Sequence, residues 1–505
     1  MSVEGGINWV EHLPALQVAM PMLGAVACAL VRNGGISWLI TLAVSWAMPV
    51  CALLMLHEVV AHGTISYAMG SWAPPVGIEY RVDEANAFLL VLVSIIAALV
   101  ASYMPRSVAD EIAPERRGWF YTMYLMALCG LLGMTITGDA FNIFVFMEVS
   151  SLAMYVLIGL GRDRRALVAA FQYLVIGTIG ATFYVVGVGL VFTMTGSLNL
   201  YDIAQILPEI ENQRPVYAGL AFIGVGMSLK LALFPLHLWL PNAYAFAPSA
   251  ATAFLAGTAT KVAIYVLIRF LYSIFGVEFA FGSPATQPTV LLLACLGMLV
   301  PSVVAVFQVN VKRMLAYSSV SQVGYMILGI ALLNATGLTG GIAHMFNHAI
   351  IKCCLFLAVG CVVYSTGIQR IEQMAGLGRT MPLTMAAFVI AGLALIGVPG
   401  TAGFVSKWYL IQGAAEQGMW WLVVVIVVSS MLAIFYIGRI VEVAWFREPS
   451  DAADNPRSLP FEMQMITWTM AAAILYFGLQ TEISAGVPAR AAEMLLQGWA
   501  IGGGQ

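Results

Sequence analysis

The chain has 505 residues, of which 61% are hydrophobic and 9% are charged, and its formal net charge at pH 7 is -3. Soluble domains carry about 25% charged residues, so this composition excludes an ordinary soluble protein and predicts a multi-pass membrane protein. The sequence shows no basic patch that could bind nucleic acid. Its seven cysteines lie in apolar stretches without metal-ligand spacing, and we interpret them as small core residues.

Apolar stretches of about 20 residues, the length that a helix needs to cross a bilayer, recur along the whole chain. The predicted spans are 13–31, 36–57, 85–104, 118–137, 140–160, 166–194, 216–237, 245–272, 289–307, 315–334, 340–364, 383–413, 420–445 and 464–482. The expected fold class is therefore an all-α polytopic membrane protein with about fourteen transmembrane helices. The long loop at 58–84 is expected to form an ordered cap or a docking surface, and the tail after Thr481 to be loose.

The distribution of lysine and arginine predicts the orientation, because cytoplasmic loops carry an excess of both. If the N-terminus lies outside, the outer loops hold only Arg81, Arg214 and Arg490. The inner loops then hold Arg32, Arg106, Arg116, Arg117, Arg162, Arg164, Arg165, Lys312, Arg313, Arg370, Arg379, Arg447 and Arg457. Both termini are thus expected outside the inner membrane of a bacterial or archaeal cell.

The seventh span contains Lys230, followed by Pro235 and His237. A lysine at the centre of a membrane helix costs roughly 2.5–3.5 kcal/mol, so it normally faces a cavity or a partner. A proline removes a backbone donor, and irregular backbone at membrane depth is tolerated only where protein or water lines it. The stretch therefore predicts a hydrated, broken helix that handles charge.

The twelfth span repeats this pattern, with Pro399 and Gly400 followed by Lys407. Transporters often contain repeats whose broken helices meet near the midplane, and an offset of five spans reverses the orientation of the second copy. We therefore expect two inverted five-helix repeats with broken helices 7 and 12. The expected units are 1–117 with three helices, 118–272 as the first repeat, 289–445 as the second repeat, and 464–505 with the last helix and the tail.

Two further spans carry ionisable side chains. Glu148 lies deep in the fifth span, whereas Asp139 lies nearer its outer edge. A buried carboxylate should be protonated unless a cation is near, and Lys230 is the expected partner; a static ion pair that only holds two helices together is the alternative. Lys261 in the eighth span is central enough that proton exchange is preferred to the alternative of snorkelling to the interface.

The eleventh span places His344, His348 and Lys352 at i, i+4 and i+8, which forms one stripe about 12 Å long on a helix. Histidine exchanges protons near neutral pH, so such a stripe can pass them along. A zinc site is the alternative, but Met345 stands where a zincin has its glutamate and a third ligand is not evident, so we predict no metal. Ser321 and Gln322 in the tenth span are expected to support the stripe.

The chain shows no catalytic motif and no cofactor-binding motif of its own. Nucleophile–base pairs, haem ligands and nucleotide-binding glycine motifs are all missing from the sequence. The residues can thus supply a pathway for protons but not an energy source.

These stretches resemble the antiporter-like subunits of Mrp-type multisubunit cation/proton antiporters, which are also found in respiratory complex I and in membrane-bound hydrogenases. The motifs that carry the resemblance are Gly138 to Glu148, Lys230 to Ser249, Lys312 to Tyr325, His344 to Lys352 and Pro399 to Trp408. The resemblance implies fourteen helices with two inverted repeats. It also implies a glutamate/lysine pair, a connecting lysine, a central histidine region and a terminal lysine, which match Glu148, Lys230, Lys261, His344, His348 and Lys407.

Within this family the chain is most similar to the D-type subunit of Mrp antiporters, because Gln322 replaces a histidine common in complex I and the terminal position is Lys407 rather than glutamate. The first hypothesis is a proton-translocating subunit of a Na⁺/H⁺ antiporter, with other membrane subunits, protons, Na⁺ and the lipid bilayer as partners. The alternative is a proton-pumping membrane subunit of a redox complex. A scaffold that conducts nothing is the third.

Overall fold

A computed structural model describes residues 11–451, 453 and 456–499 of the chain. Most of this part is helical. In chain order the α-helices are α1 (Leu13–Val31), α2 (Gly34–His62), α3 (Glu84–Glu111), α4 (Arg117–Ile136), α5 (Ala140–Gly159), α6 (Arg164–Thr195), α7 (Leu200–Ile206), α8 (Arg214–Lys230), α9 (Trp239–Phe246), α10 (Ser249–Ile268), α11 (Val277–Ala280), α12 (Thr286–Val306), α13 (Val311–Ala331), α14 (Ala335–Thr366), α15 (Leu377–Thr380), α16 (Pro382–Ile396), α17 (Ala402–Glu416), α18 (Trp420–Phe446), α19 (Phe461–Leu479) and α20 (Val487–Gln497).

Every predicted apolar span coincides with one of these helices or with an interrupted pair. In the described part of the chain, 11 helices are long and apolar enough to cross a membrane, or up to 12 if the bent pair α19 and α20 is one span. The predicted breaks shorten the helices at the seventh and twelfth spans, since α8 has 17 residues and α16 and α17 have 15 each. The chain is therefore a multi-pass helical membrane protein, and the total of fourteen crossings stays a prediction.

The long loop after α2 is an ordered cap. It contains two antiparallel strands, β1 (Ile65–Ala68) and β2 (Glu79–Val82), with Ile65 opposite Val82. Strand β2 is mostly buried, and Tyr80 forms an isolated bridge with Thr137 at the end of α4. The hairpin thereby ties the start of α3 to the neighbouring helices at this end of the bundle.

The segment after α19 is helical, so the prediction of a loose tail was wrong for the residues that the structure describes. Helix α20 follows a π-helical turn and lies at 75° to α19. Its apolar side buries Pro488, Ala491, Ala492 and Leu495, a spacing that gives one helical face. The final Gly-Gly-Gly-Gln lies outside the described residues.

The two halves of the helical bundle repeat the same local design. Helices α6 and α14 have 32 residues each and both end at a glycine in the left-handed conformation, Gly196 and Gly367. Gly196 and Gly367 are as far apart in the sequence as Asp139 and Asn310, which are the N-cap residues of α5 and α13. Each cap also forms an antiparallel bridge with the segment after its long helix.

The centre of the bundle is formed by α10, α13 and α14, which are almost wholly enclosed by other helices, whereas α6 and α18 have a large exposed apolar side. Helix α14 packs against α10, α13, α16 and α17. Polar side chains on α10, α13 and α14 are therefore shielded from lipid by protein, which is the arrangement that ionisable groups at membrane depth require.

Candidate functional site

The first helix break lies between α8 and α9. Lys230 is the last residue of α8, where the partial negative charge of the helix end favours a cation. The segment between the helices contains Pro235, which cannot donate a backbone hydrogen bond. The Trp239 indole at the start of α9 donates to the Leu229 carbonyl over 2.9 Å, which fixes the two helix ends against each other.

Lys230 contacts its predicted partner. Its Nζ atom lies 3.3 Å from a carboxylate oxygen of Glu148 on α5 and donates to the Ser151 hydroxyl over 2.8 Å. The Lys230 side chain is 6% exposed and the Glu148 side chain 23% exposed. Glu148 thus reaches the surface of the bundle, while the lysine lies inside it.

A small cavity of about 20 Å³ continues inward from this pair. It is lined by Lys230, Ser151 and, from α10, Ala259 and Ala263. A cavity of this volume holds about one water molecule if polar partners are present. The cavity therefore joins Lys230 to one face of α10, whereas Lys261, two residues after Ala259, lies on the opposite face of the helix, near Cys353 of α14.

Lys261 is buried by protein and does not snorkel to an interface. Its side chain is among the largest that are fully enclosed, and Nζ donates to the Ala256 carbonyl one turn earlier in α10. Among the residues that the structure describes, this amine has one acceptor, the neutral Ala256 carbonyl. This is the environment expected of a lysine that exchanges protons.

The two histidines of α14 stack on each other, with ring centroids 6.0 Å apart and planes 8° apart. His344 contacts the Ser406 hydroxyl over 2.9 Å through Nδ1 and the Gln322 amide oxygen over 3.0 Å through Nε2. His348 has no hydrogen-bond partner at either ring nitrogen among the described residues, and it lies within electrostatic range of Lys261. Two free nitrogens on a buried ring are available for proton transfer.

Lys352 completes the stripe on α14. Its Nζ atom donates to the Ser318 hydroxyl and, over 2.9 Å, to the Leu315 carbonyl of α13. The predicted i, i+4, i+8 alignment therefore places His344, His348 and Lys352 on one buried face, and the lysine points towards α13.

The second helix break lies between α16 and α17. Lys407 Nζ donates over 3.0 Å to each of the Leu395 and Ile396 carbonyls and to the Ser430 hydroxyl of α18. It also lies 4.7 Å from the ring centroid of Tyr325, a cation–π contact. A groove of about 220 Å³ between α16, α17 and α18 opens beside this lysine.

Two of the predicted supporting residues, Asp139 and Ser321, form their hydrogen bonds outside this row of side chains, and a third, His237, contacts α13. Asp139 accepts from the Asn142 backbone over 2.7 Å and caps α5. Ser321 bonds to Ser302 over 2.7 Å and so faces α12. His237 lies in the first break, with its ring centroid 6.2 Å from that of Tyr317 and with Nδ1 unpartnered in the described structure.

The structure also adds side chains that the sequence prediction missed. Ser151, Ser406 and Ser430 each bind one of the ionisable groups. One of them had a signal in the sequence, since Ser151 is three residues after Glu148. Lys312 was assigned to an inner loop but is buried at the start of α13.

A separate buried ion pair joins Asp83, the cap of α3, to Arg269 at the end of α10. The Trp499 ring lies over both guanidinium groups of this region, 5.4 Å from Arg81 and 5.2 Å from Arg269. This pair is at the N-terminal end of α3, and it is closed off by the segment that follows α20.

One known protein family matches a region of the chain that includes both helix breaks and all the side chains from Glu148 to Lys407. The family described as NADH:quinone oxidoreductase/Mrp antiporter, TM, matches residues 137–433. The chain belongs to this family. The resemblance expected from the sequence motifs is thereby confirmed.

Members of the NADH:quinone oxidoreductase/Mrp antiporter family resemble the chain over most of its length. The N-type subunit of the NADH-quinone oxidoreductase of Desulforudis audaxviator (strain MP104C) is 41% identical over 451 residues, which are 88% of this chain and 89% of that protein. The D-type subunit of the Na(+)/H(+) antiporter of Alkalihalophilus pseudofirmus is 31% identical over 401 residues, 79% of this chain and 80% of that protein. A chain in the structure of the Mrp complex from Dietzia sp. DQ12-45-1b has a TM-score of 0.88 and 25% identity, covering 97% of this chain and 98% of that chain.

Proposed function

We propose that this protein is the proton-translocating, antiporter-like subunit of a multisubunit Na⁺/H⁺ antiporter of the Mrp type. The observation that carries the proposal is the Glu148–Lys230 pair at the first helix break, where a carboxylate that reaches the surface meets a buried ammonium group. Protonation of Glu148 removes the counter-charge of Lys230, so proton uptake by Glu148 favours proton release from Lys230. The Na(+)/H(+) antiporter of Alkalihalophilus pseudofirmus and the Mrp complex of Dietzia, which both contain a similar chain, support this assignment.

The proposed proton path leads from Glu148 and Lys230 to the cavity, passes around α10 to Lys261, continues to His348 and His344, and ends at Lys407. The step from the histidines to the terminal lysine is supported by Tyr325, whose ring centroid lies 5.3 Å from that of His344 and 4.7 Å from Lys407 Nζ. Side-chain rotation and water molecules would complete the hydrogen-bonded row at the cavity and around His348.

The test is the exchange activity of the intact complex in membrane vesicles, followed with a pH-sensitive dye after addition of Na⁺. We expect Lys230→Ala and Glu148→Gln each to reduce exchange at least about a hundredfold, because loss of a positioned proton-transfer group typically has effects of this size. The variant subunits should still co-purify with their partners. Unchanged exchange in both variants would falsify the proposed function.

A matched control separates proton transfer from a static ion pair. Glu148→Gln retains the shape of the side chain and can still accept a hydrogen bond from Lys230, but it cannot take up a proton. Arg165 forms an exposed pair with Asp163 over 2.6 Å, so Arg165→Gln removes an ion pair at the surface. Exposed pairs contribute about 0–1 kcal/mol, and this control should leave exchange unchanged.

A redox-driven pump is the second candidate, and the 41% identity to the N-type subunit of an NADH-quinone oxidoreductase favours it. The same proton path would then be driven by electron transfer in a partner subunit. Identification of the co-purifying proteins distinguishes the candidates, since partners with iron–sulfur clusters or a quinone site indicate a redox complex. A complex that contains only membrane subunits and exchanges Na⁺ for H⁺ supports the antiporter.

We also propose that the protein lies in the inner membrane of the cell with both termini outside. Residues 118–272 and 289–445 then form two inverted repeats. The equal spacing of the caps and glycines of the two halves supports the repeats. The excess of arginine in the predicted inner loops supports the orientation. Labelling of a cysteine introduced in the loop between β1 and β2 by a membrane-impermeant reagent tests it, and labelling only after the membrane is opened would contradict it.

A further inference from the structure

Lys312 is a buried lysine that the proposed proton path does not use. It is 1% exposed and lies in the first turn of α13, where the partial positive charge of the helix end disfavours a cation. Its Nζ atom has two neutral acceptors, the Ser249 hydroxyl at 3.0 Å and the Ala247 carbonyl at 3.3 Å. A lysine held in this way has no ion-pair partner within 4.0 Å in the described structure.

Glu111 lies on the other side of Ser249. It is the last residue of α3, and both of its carboxylate oxygens accept from the Ser249 backbone N–H, over 3.1 and 2.9 Å. Ser107 also donates to this carboxylate over 2.9 Å. Glu111 is half-buried, so it is in contact with the surroundings of the bundle, whereas Lys312 is enclosed. Ser249 thus holds an accessible carboxylate and a buried amine side by side at the N-terminus of α10.

Lys312 lies on the same helix as the groups that bind Lys352 of the central stripe. Leu315 and Ser318, which bind Lys352, follow it in α13 by three and six residues, or about 4.5 and 9 Å along the helix axis. The hydroxyl groups of Ser318 and Ser319 both donate to the Leu315 carbonyl, over 2.8 and 3.0 Å. Lys312 and the two acceptors of Lys352 therefore lie within two turns of one helix, and the Lys312 amine itself binds Ser249 and Ala247.

We propose that Glu111, Ser249 and Lys312 form a proton-loading site that supplies Lys352 and His348 from the end of the bundle opposite Trp499. A proton bound by the Glu111 carboxylate passes to the Lys312 amine, which leaves a carboxylate and an ammonium group. The Lys312 ammonium then gives its proton to the Lys352 amine through water molecules and the Ser318 hydroxyl that binds Lys352. The proposal rests on the proposed function, since it adds the uptake end of the same path.

The other titratable groups beside Ser249 are neutral near pH 7. Gly360 of α14 lies between Ser249 and the Tyr103 hydroxyl, which donates to the Leu357 carbonyl and contacts the Cys361 thiol. Tyrosine and cysteine ordinarily titrate near 10 and 8.5, so they leave Glu111 as the carboxylate that acts on Lys312.

A structural role for Lys312 is the competing explanation, because its bond to the Ala247 carbonyl caps α9. Lys312→Gln keeps a donor for this carbonyl but cannot carry a proton. We expect it to reduce Na⁺-dependent proton exchange of the intact complex at least about tenfold, with co-purification and thermal stability unchanged. Exchange at the level of the unmodified complex in Lys312→Gln would overturn the proposal.

Glu111→Gln provides a second test, because a purely structural role of this residue would not make the defect depend on pH. We expect a smaller defect, about three- to tenfold, that diminishes when the pH on the loading side is lowered, since a higher proton concentration compensates for slow uptake. A defect that does not depend on this pH overturns the loading role. Arg116 is exposed near the same end of the bundle, and Arg116→Gln is the control for surface charge, with unchanged exchange expected.

Lys230→Ala measured in the same vesicles separates the two proposals. If Lys230→Ala is inactive while Lys312→Gln and Glu111→Gln are fully active, the loading site is wrong and the proposed function stands. If Lys230→Ala is active as well, the proposed function itself fails.

Discussion

The two helix breaks hold their lysines by different means. At the first break Lys230 pairs with Glu148, a side chain of another helix. At the second break Lys407 donates to two main-chain carbonyls at the end of α16, Leu395 and Ile396, where the helix dipole is negative. A carboxylate can be neutralised by a proton, whereas a helix end cannot. The comparison therefore indicates that the charge of Lys230 is adjustable and that the site of Lys407 is fixed by the fold.

The largest expected effect concerns the backbone of the second break. An alanine Cβ at Gly403 would lie 1.8 Å from the Ala394 carbonyl oxygen, so α16 and α17 could not keep their close approach. We expect Gly403→Ala to destabilise the protein by at least about 3 kcal/mol, the upper end of the usual range for overpacking. The thermal midpoint of the purified complex, or loss of the subunit from it, measures this effect.

Gly400→Ala is the matched control within the same break. Gly400 has a φ of +84°, and a Cβ there would meet nothing within 4 Å. The only expected free-energy cost is that of placing a residue with a side chain in the left-handed conformation, about 1–2 kcal/mol. Equal stability of the Gly403 and Gly400 variants would show that the second break does not depend on the close approach of its two helices.

The next prediction concerns the lysines themselves. Lys407→Met removes a donor from the Leu395 and Ile396 carbonyls, and a buried polar group left unpaired costs about 1–3 kcal/mol. Lys230→Met leaves Glu148, which is 23% exposed and can bind a proton. We therefore expect the Lys407 variant to lower the thermal stability of the complex more than the Lys230 variant does. The reverse order would contradict the assignment of a fixed and an adjustable lysine.

The smallest expected effects are those of the two hydroxyl partners. Ser151→Ala leaves Lys230 with Glu148 alone, whereas Ser430→Ala leaves Lys407 with two carbonyls. One hydrogen bond contributes about 0.5–1.5 kcal/mol, which corresponds to about a two- to tenfold change in rate. Exchange should fall more in the Ser151 variant than in the Ser430 variant.

Ser429→Ala serves as the control for this pair of variants. Ser429 is adjacent to Ser430 on α18 but donates to the Met298 carbonyl of α12 over 3.0 Å. The exchange rate of the Ser429→Ala variant should equal that of the unmodified protein. A Ser430 variant that is more impaired than the Ser151 variant would reverse the comparison of the two breaks.

The contacts between charged side chains could be predicted from the sequence. Glu148 and Lys230 are rare ionisable residues in apolar spans, so each required a partner at the same depth. The stripe of His344 and His348 followed from helical spacing alone. Both helix breaks were also predictable, because Pro235 and Pro399 stand beside them.

The partners of Lys407 could not be predicted in the same way. Main-chain carbonyls belong to every residue, and only the fold decides which of them remain free to accept from a lysine. Ser321 was misplaced because neighbouring residues of a helix point about 100° apart, so Ser321 and Gln322 could not both face α14. Lys312 was assigned to a loop because the sequence does not show that α13 begins before it.

The contact of Trp499 with Arg81 and Arg269 has a consequence for biogenesis. These arginines leave the ribosome long before Trp499 does, so the Asp83–Arg269 pair is uncovered while the remaining helices are being synthesised and inserted. Closure of this end of the bundle therefore follows the synthesis of all the described helices. A nascent subunit that stalls before residue 490 should be sensitive to added protease at this end until translation resumes.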